Sequence, residues 1–105
     1  MLGFRGGIDP KEPAVIEGQN ITLQIYCKGE GNQCHHQPVS WLRNDKQIKS
    51  FGPDRHFQEE LFMNCHRFII SNAETDDKGW IKVKSSCDER KCFLKVISKS
   101  RTILI

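Results

Sequence analysis

The sequence predicts an all-β fold, a sandwich of two antiparallel sheets built from about seven to eight strands. Runs rich in β-branched and aromatic residues recur along the chain, and turn-forming residues separate them about every 8–12 positions. No stretch of the sequence repeats apolar residues at helical spacing over the length of a normal helix. The 105 residues provide enough chain for one such domain and too little for two.

The composition is that of an ordinary folded domain, with 37% hydrophobic and 28% charged residues, which argues against disorder. The net charge of +3 is spread over 16 basic and 13 acidic residues, and Asp88 and Glu89 interrupt the basic residues near the end of the chain. A nucleic-acid-binding domain would need a denser basic stripe, so we expect no nucleic-acid partner. No apolar run approaches the roughly 20 residues that cross a bilayer, so we expect no membrane partner.

The first half of the chain predicts four extended segments. Residues 13–18 form a short edge strand that ends in a glycine turn. Ile21–Cys27 has an apolar residue at every second position, which is the pattern of a half-buried strand. Residues 39–42 form the next strand, and residues 44–46 form a tight turn before extended chain at residues 47–48.

The second half predicts four more strands. Residues 55–61 are weakly patterned, whereas residues 65–71 have a clear apolar face. Residues 80–84 and 93–97 pair as a hairpin, with residues 85–92 as the connection between them.

The ends of the chain are expected to lie outside the packed domain. Residues 1–12 are predicted to be a flexible leader, because their start has neither a long apolar stretch nor a cleavage pattern. Residues 98–105 are predicted to be a linker or tail, which leaves residues 13–97 as the domain. The domain is expected to be one module of a longer protein.

A corner in the second half resembles a known family. In I-set immunoglobulin domains the corner between strands E and F has the pattern Leu-x-Ile-x-x-Ala/Val, followed by Asp-x-Gly-x-Tyr-x-Cys. Residues 68–79 are similar to it, and Asp77 and Gly79 match its Asp-x-Gly.

Two upstream segments extend this resemblance. Residues 39–46 resemble strand C and its turn, with Trp41 as the core tryptophan, and Glu17 and Gly18 resemble the residues that precede strand B. The segments occur in family order over about residues 13–97. The resemblance implies an immunoglobulin-like Greek-key sandwich.

The departures from the family pattern concern its disulfide. Ile81 takes the position of the corner Tyr, Val83 takes that of the strand-F Cys, and Ile25 lies opposite Val83 in the implied alignment. An apolar pair can fill this space by burial, and the loss of a bridge is tolerated more easily where disulfides are not maintained. The expected core residues are Ile25, Trp41, Phe68, Ile70, Ile81 and Val83.

Domains of this family without the bridge resemble those of titin, obscurin and the myosin-binding proteins. The resemblance therefore implies a protein–protein interaction and structural module of a multidomain muscle or cytoskeletal protein in the cytoplasm. It also implies that the domain has no cofactor and is monomeric when isolated. The implied partner is a filament protein or a neighbouring domain of the same chain.

The residues themselves indicate no catalytic site and one candidate binding residue. Cys65 and His66 are neighbours on a strand, so their side chains point to opposite faces and cannot form a nucleophile–base pair. Trp80 has the opposite parity to Ile81 and Val83 and is expected to face outward. An outward Trp is a possible binding surface unless neighbouring strands or a loop cover it.

Five Cys and four His leave three interpretations open. The topology is expected to gather all five Cys and three His at one pole of the sandwich. The cysteines are thiols, or they form unusual disulfides such as Cys87 with Cys92 or Cys34 with a neighbour. The third interpretation is a zinc site, although no Cys-x-x-Cys spacing supports it. Its candidate ligands are Cys34, His35, His36, Cys87 and Cys92.

An extracellular recognition domain of an adhesion molecule or receptor is the alternative function. The triplet that begins at Asn20 is an N-glycosylation acceptor pattern, which also occurs often by chance. The number of cysteines favours this alternative, and the missing pair of bridging cysteines favours the intracellular module.

Overall fold

The computed structural model describes residues 3–28, 38–48 and 56–99. Nine strands in these residues form two sheets, with the orders β1-β3-β7-β6 and β2-β9-β8-β4-β5. The strands are β1 (Phe4–Asp9), β2 (Ala14–Ile16), β3 (Ile21–Cys27), β4 (Ser40–Arg43), β5 (Lys46–Gln47), β6 (Phe57–Phe62), β7 (Cys65–Ile70), β8 (Gly79–Lys84) and β9 (Glu89–Ile97). This arrangement confirms the predicted all-β sandwich, and it departs from two purely antiparallel sheets in that β2 pairs parallel with β9. None of the residues in these ranges forms a helix long and apolar enough to cross a membrane.

The sequence did not predict strand β1, which corrects the prediction that residues 1–12 are a flexible leader. It pairs antiparallel with β3 and buries Phe4 and Ile8 in the core. The register shifts between Arg5 and Asp9, and Gly6 has a φ of +72° within this irregular stretch. A glycine adopts this conformation without steric cost, so the glycines of this segment shape a bulged strand.

Hydrogen bonds fasten β1 to the opposite sheet. The backbone N–H of Phe4 donates to Oδ2 of Asp88 at 3.0 Å, and this bond holds the pKa of Asp88 below its ordinary value. Nε of Arg90 donates to the carbonyl oxygen of Gly6 at 3.0 Å. Because Asp88 and Arg90 belong to the β8–β9 hairpin, the first strand is held by both sheets.

The core lies between the two sheets and contains the six residues predicted for it, all with 0% exposure. Trp41 of β4 stacks on Phe68 of β7 with 4.9 Å between ring centroids. Ile25 and Val83, the pair expected to fill the core by burial, are both fully buried.

The β8–β9 hairpin is tighter than predicted. β9 begins at Glu89 rather than at residue 93, and the turn occupies residues 85–88. The backbone N–H of Ser85 donates to the carbonyl oxygen of Asp88 at 2.8 Å, and the Ser85 hydroxyl accepts from the N–H of Asp88 at 3.1 Å. Cys92 therefore lies within a strand, opposite Ile81, and not at the pole where it was expected.

Candidate protein-binding face

The outer surface of the five-stranded sheet bears an exposed aromatic pair. Trp80 of β8 and Phe93 of β9 lie directly opposite each other and remain 49% and 43% exposed. Their rings meet edge to face, with 5.3 Å between centroids. We call this surface the Trp80 face and define it by the outward side chains of β8 and β9. Its members are Trp80, Lys82, Lys84, Glu89, Lys91, Phe93, Lys95 and Ile97.

The backbone of Trp80 is held on both sides by the turn between β4 and β5. Oδ1 of Asn44 accepts from the Trp80 N–H at 3.0 Å, and the Asn44 N–H donates to the Trp80 carbonyl oxygen at 2.8 Å. Asn44 and Asp45 both have positive φ, as a two-residue hairpin turn requires. Gly79 has a φ of +137°, and a Cβ there would collide with the Asn44 side chain. Because glycine at position 79 has no Cβ, the Asn44 side chain has room to hold the Trp80 backbone.

Lysines surround the aromatic pair. Nζ of Lys91 lies 4.9 Å from the centroid of the Trp80 ring, which is a cation–π distance. Nζ of Lys82 lies 3.5 Å from Asp45 and 3.7 Å from Glu89. A shallow depression of about 220 Å³ opens beside Trp80 and is lined by Asn44, Asp45, Trp80, Lys82 and Lys91. The depression therefore places two lysines beside an exposed aromatic ring.

A buried carboxylate fixes the corner that precedes β8. Asp77 is 1% exposed, and its Oδ1 accepts from Nη1 of Arg43 at 2.6 Å. Its Oδ2 lies 2.7 Å from Nε2 of His56 and accepts from the Glu74 N–H at 2.8 Å. Asp77 matches the Asp of the family corner, but the sequence did not reveal its partners. No local pattern marks Arg43 and His56, since they lie 34 and 21 residues away along the chain.

Cys87 and Cys92 are both thiols in the structure, so the predicted disulfide between them is wrong. Cys87 is exposed in the turn, whereas Cys92 is on the buried side of β9 and its side chain packs in the core. Burial raises the pKa of the Cys92 thiol to about 11. The two side chains therefore occupy different environments.

The remaining cysteines do not assemble into a described metal site. Cys27 is disulfide-bonded, and Cys65 is a buried thiol whose Sγ lies 3.7 Å from Oε1 of Gln24. Within the described ranges no group of three or more His, Cys, Asp or Glu side chains is arranged to hold a metal ion. The zinc candidates Cys34, His35 and His36 lie outside these ranges.

The two-sheet arrangement and the corner at Asp77 define an immunoglobulin-like domain. The chain matches the immunoglobulin I-set domain model over residues 7–96 and belongs to that family. No sequence among the curated proteins matches the chain closely enough to count as a relative.

Solved structures share the fold at low sequence identity. Domain I10 from titin is 21% identical with a TM-score of 0.76, and the match covers 91% of this chain and 98% of that one. A chain from the complex of titin M10 with obscurin-like 1 is 15% identical with a TM-score of 0.73, and the match covers 93% and 94% of the two chains. The twitchin kinase region from C. elegans is 21% identical with a TM-score of 0.66, and the match covers 81% of this chain and 14% of that one.

Proposed function

We propose that this domain is a non-catalytic protein-interaction and structural module of a larger intracellular muscle or cytoskeletal protein. Its partner is a filament protein or a neighbouring domain of the same chain, and it binds no cofactor. Membership of the I-set family and the likeness to titin and twitchin domains support the proposal. One of the similar structures is a complex of titin M10 with obscurin-like 1, which shows that a domain of this fold can bind a protein.

The observation that supports the binding role most directly is the exposed Trp80–Phe93 pair. Two large aromatic side chains are about half exposed on a sheet face. Their burial against a partner would favour association. Trp is also among the residues that contribute most to protein–protein affinity. Asn44 holds the Trp80 backbone, so the backbone beneath the aromatic pair is fixed before a partner arrives.

Replacement of Trp80 by Ala is expected to weaken capture of a partner from striated-muscle extract by at least about tenfold. The cost in folding stability should be only about 1 kcal/mol, because Trp80 is half exposed and its ring contacts Phe93 and Lys91, which are exposed as well. Immobilised wild-type and variant domains are compared by quantitative mass spectrometry of the bound proteins, and stability is measured by urea unfolding.

The matched control for this experiment is Phe62→Ala, which removes an exposed aromatic residue from β6, in the other sheet. The control should bind the same proteins as the wild type. If the Trp80 variant also retains every partner, the Trp80 face is not the binding surface.

An extracellular recognition domain is a second candidate, and the disulfide at Cys27 favours it. Such bonds persist mainly in oxidising compartments. Asn20 is exposed, as a glycosylated residue must be, although its Oδ1 accepts a hydrogen bond from the Asn72 N–H at 2.9 Å. The two candidates therefore differ in the oxidation state of Cys27 and in the mass attached to Asn20.

If the proposed intracellular function is correct, the disulfide at Cys27 is reduced in the native tissue, and the domain isolated from it should have five alkylatable thiols and no glycan. Alkylation is done after unfolding without reductant, because burial keeps Cys92 protonated up to a pKa of about 11 in the folded state. Intact mass then counts the modified thiols. Cys27 that reacts only after reduction, together with glycan mass on Asn20, would favour the extracellular candidate.

A further inference from the structure

The Trp80 face carries positive charge that the described residues do not neutralise. Among the ion pairs of the described residues, Asp45 and Glu89 are the carboxylates that contact these four lysines, and both contact Lys82. Glu89 is also the register partner of Lys84. Within the described part of the chain, Lys84, Lys91 and Lys95 form no ion pair. An acidic partner would supply the missing negative charge.

Two of these lysines are also placed against each other. Lys82 and Lys91 are direct register partners across β8 and β9. Like charges opposite each other on one sheet face destabilise the pairing. A carboxylate in the depression beside Trp80, whose lining includes both lysines, would relieve this repulsion.

The lysines of β9 flank the aromatic anchor at a regular spacing. Lys91, Phe93 and Lys95 occupy alternate positions of one strand, so their side chains leave the same face about 7 Å apart. An extended peptide has the same repeat. It can therefore place one apolar side chain on the aromatic pair and a carboxylate near each lysine.

We propose that the Trp80 face binds an extended acidic protein segment in which an apolar residue is flanked by carboxylates two positions before and after it. The proposal rests on the proposed function and specifies the chemistry of its partner. The apolar residue packs on Trp80 and Phe93, and the carboxylates approach Lys91 and Lys95. Apolar and acidic side chains among the lysines favour a peptide over a nucleic acid, which would need a continuous basic surface.

The test is a titration of the isotope-labelled domain with a short peptide whose centre is Glu-Ser-Leu-Ser-Glu, followed by amide chemical shifts. The shifts should concentrate on β8, β9 and the turn at Asn44. A permuted peptide with the centre Ser-Glu-Leu-Glu-Ser has the same composition, but its carboxylates point away from the leucine side of an extended chain. It should bind several-fold more weakly, as should a peptide with Gln in place of Glu.

Substitutions of the lysines in the domain test the same contacts between lysine and carboxylate. Lys91→Gln and Lys95→Gln should each weaken the peptide about threefold, in line with exposed ion pairs, and the loss should shrink at high salt. Lys78→Gln removes an exposed lysine outside this face and should change nothing.

Equal binding of the permuted or the Gln peptide would overturn the proposal. So would tighter binding of this face to oligothymidylate or phosphatidylserine vesicles, or self-association of the domain through it. If the Trp80 variant loses a muscle protein while the peptide's charge has no effect, the proposed function stands and the acidic partner is refuted. If neither the extract nor the peptide responds to the Trp80 variant, both proposals fail.

Discussion

Replacement of Phe4 by Ala is expected to lower the free energy of unfolding by about 3–5 kcal/mol, the usual cost of removing a buried phenylalanine. Phe4 is 0% exposed, although it is the first residue of the first strand. Small domains are stable by only about 5–15 kcal/mol, so this loss is a large fraction of the total. Urea unfolding followed by tryptophan fluorescence, with Trp41 as a buried reporter, measures it.

The matched control is Phe62→Ala, since Phe62 is the same residue type with 60% exposure and has the Arg67 guanidinium over its ring. Its cost should stay below about 1 kcal/mol. If β1 were the flexible leader that the sequence predicted, Phe4→Ala and Phe62→Ala would have equally small effects. A loss of less than about 0.5 kcal/mol for Phe4→Ala would therefore contradict the packing of β1.

The contrast between β1 and β3 shows what sequence patterning detects in this domain. In β3, buried residues alternate with less buried ones in one unbroken register with β7, and the predicted bounds match the observed ones. In β1, the buried Phe4 and Ile8 share one parity, but the exposed Gly6 lies between them in the irregular stretch, so the apolar alternation is interrupted. Glycines that suggest mobility in a sequence can equally mark a bulged strand.

The Trp80 face was partly predictable for the same reason. Strand parity alone places Trp80 outward, and the structure leaves it 49% exposed. The opposition of Lys82 and Lys91 was not predictable, because it depends on the cross-strand register. That register follows from the turn at residues 85–88, whereas the sequence suggested a longer connection.

Replacement of Asp77 by Ala is expected to cost about 3 kcal/mol, near the lower end of values for a broken buried ion pair. The change leaves the Arg43 guanidinium, the His56 ring and the Glu74 N–H without the carboxylate that they contact. Because the Arg43 side chain is 34% exposed, water can solvate part of its charge. The loss of stability should therefore stay below the upper end of the values for broken buried ion pairs. Urea unfolding measures the change.

Two further variants separate charge from shape at this corner. Asp77→Asn retains an oxygen acceptor and similar volume, so it should cost only about 1–2 kcal/mol. Asp76→Ala is the control, because Asp76 is the exposed neighbour and its loss should change stability by less than about 0.5 kcal/mol. Equal losses for Asp76→Ala and Asp77→Ala would contradict the structural role of the buried carboxylate.

A double-mutant cycle assigns the energy to the Arg43–Asp77 pair. If the pair acts as a unit, Arg43→Met in the Asp77→Ala background should cost about 1–3 kcal/mol less than it does in the wild type. Arg43 also lies 5.6 Å from the centroid of the Phe57 ring, and the methionine stem retains part of that packing. Additive losses would show that Asp77 stabilises the corner through the Glu74 N–H and His56 instead. The corner would then be held before β8 independently of β4.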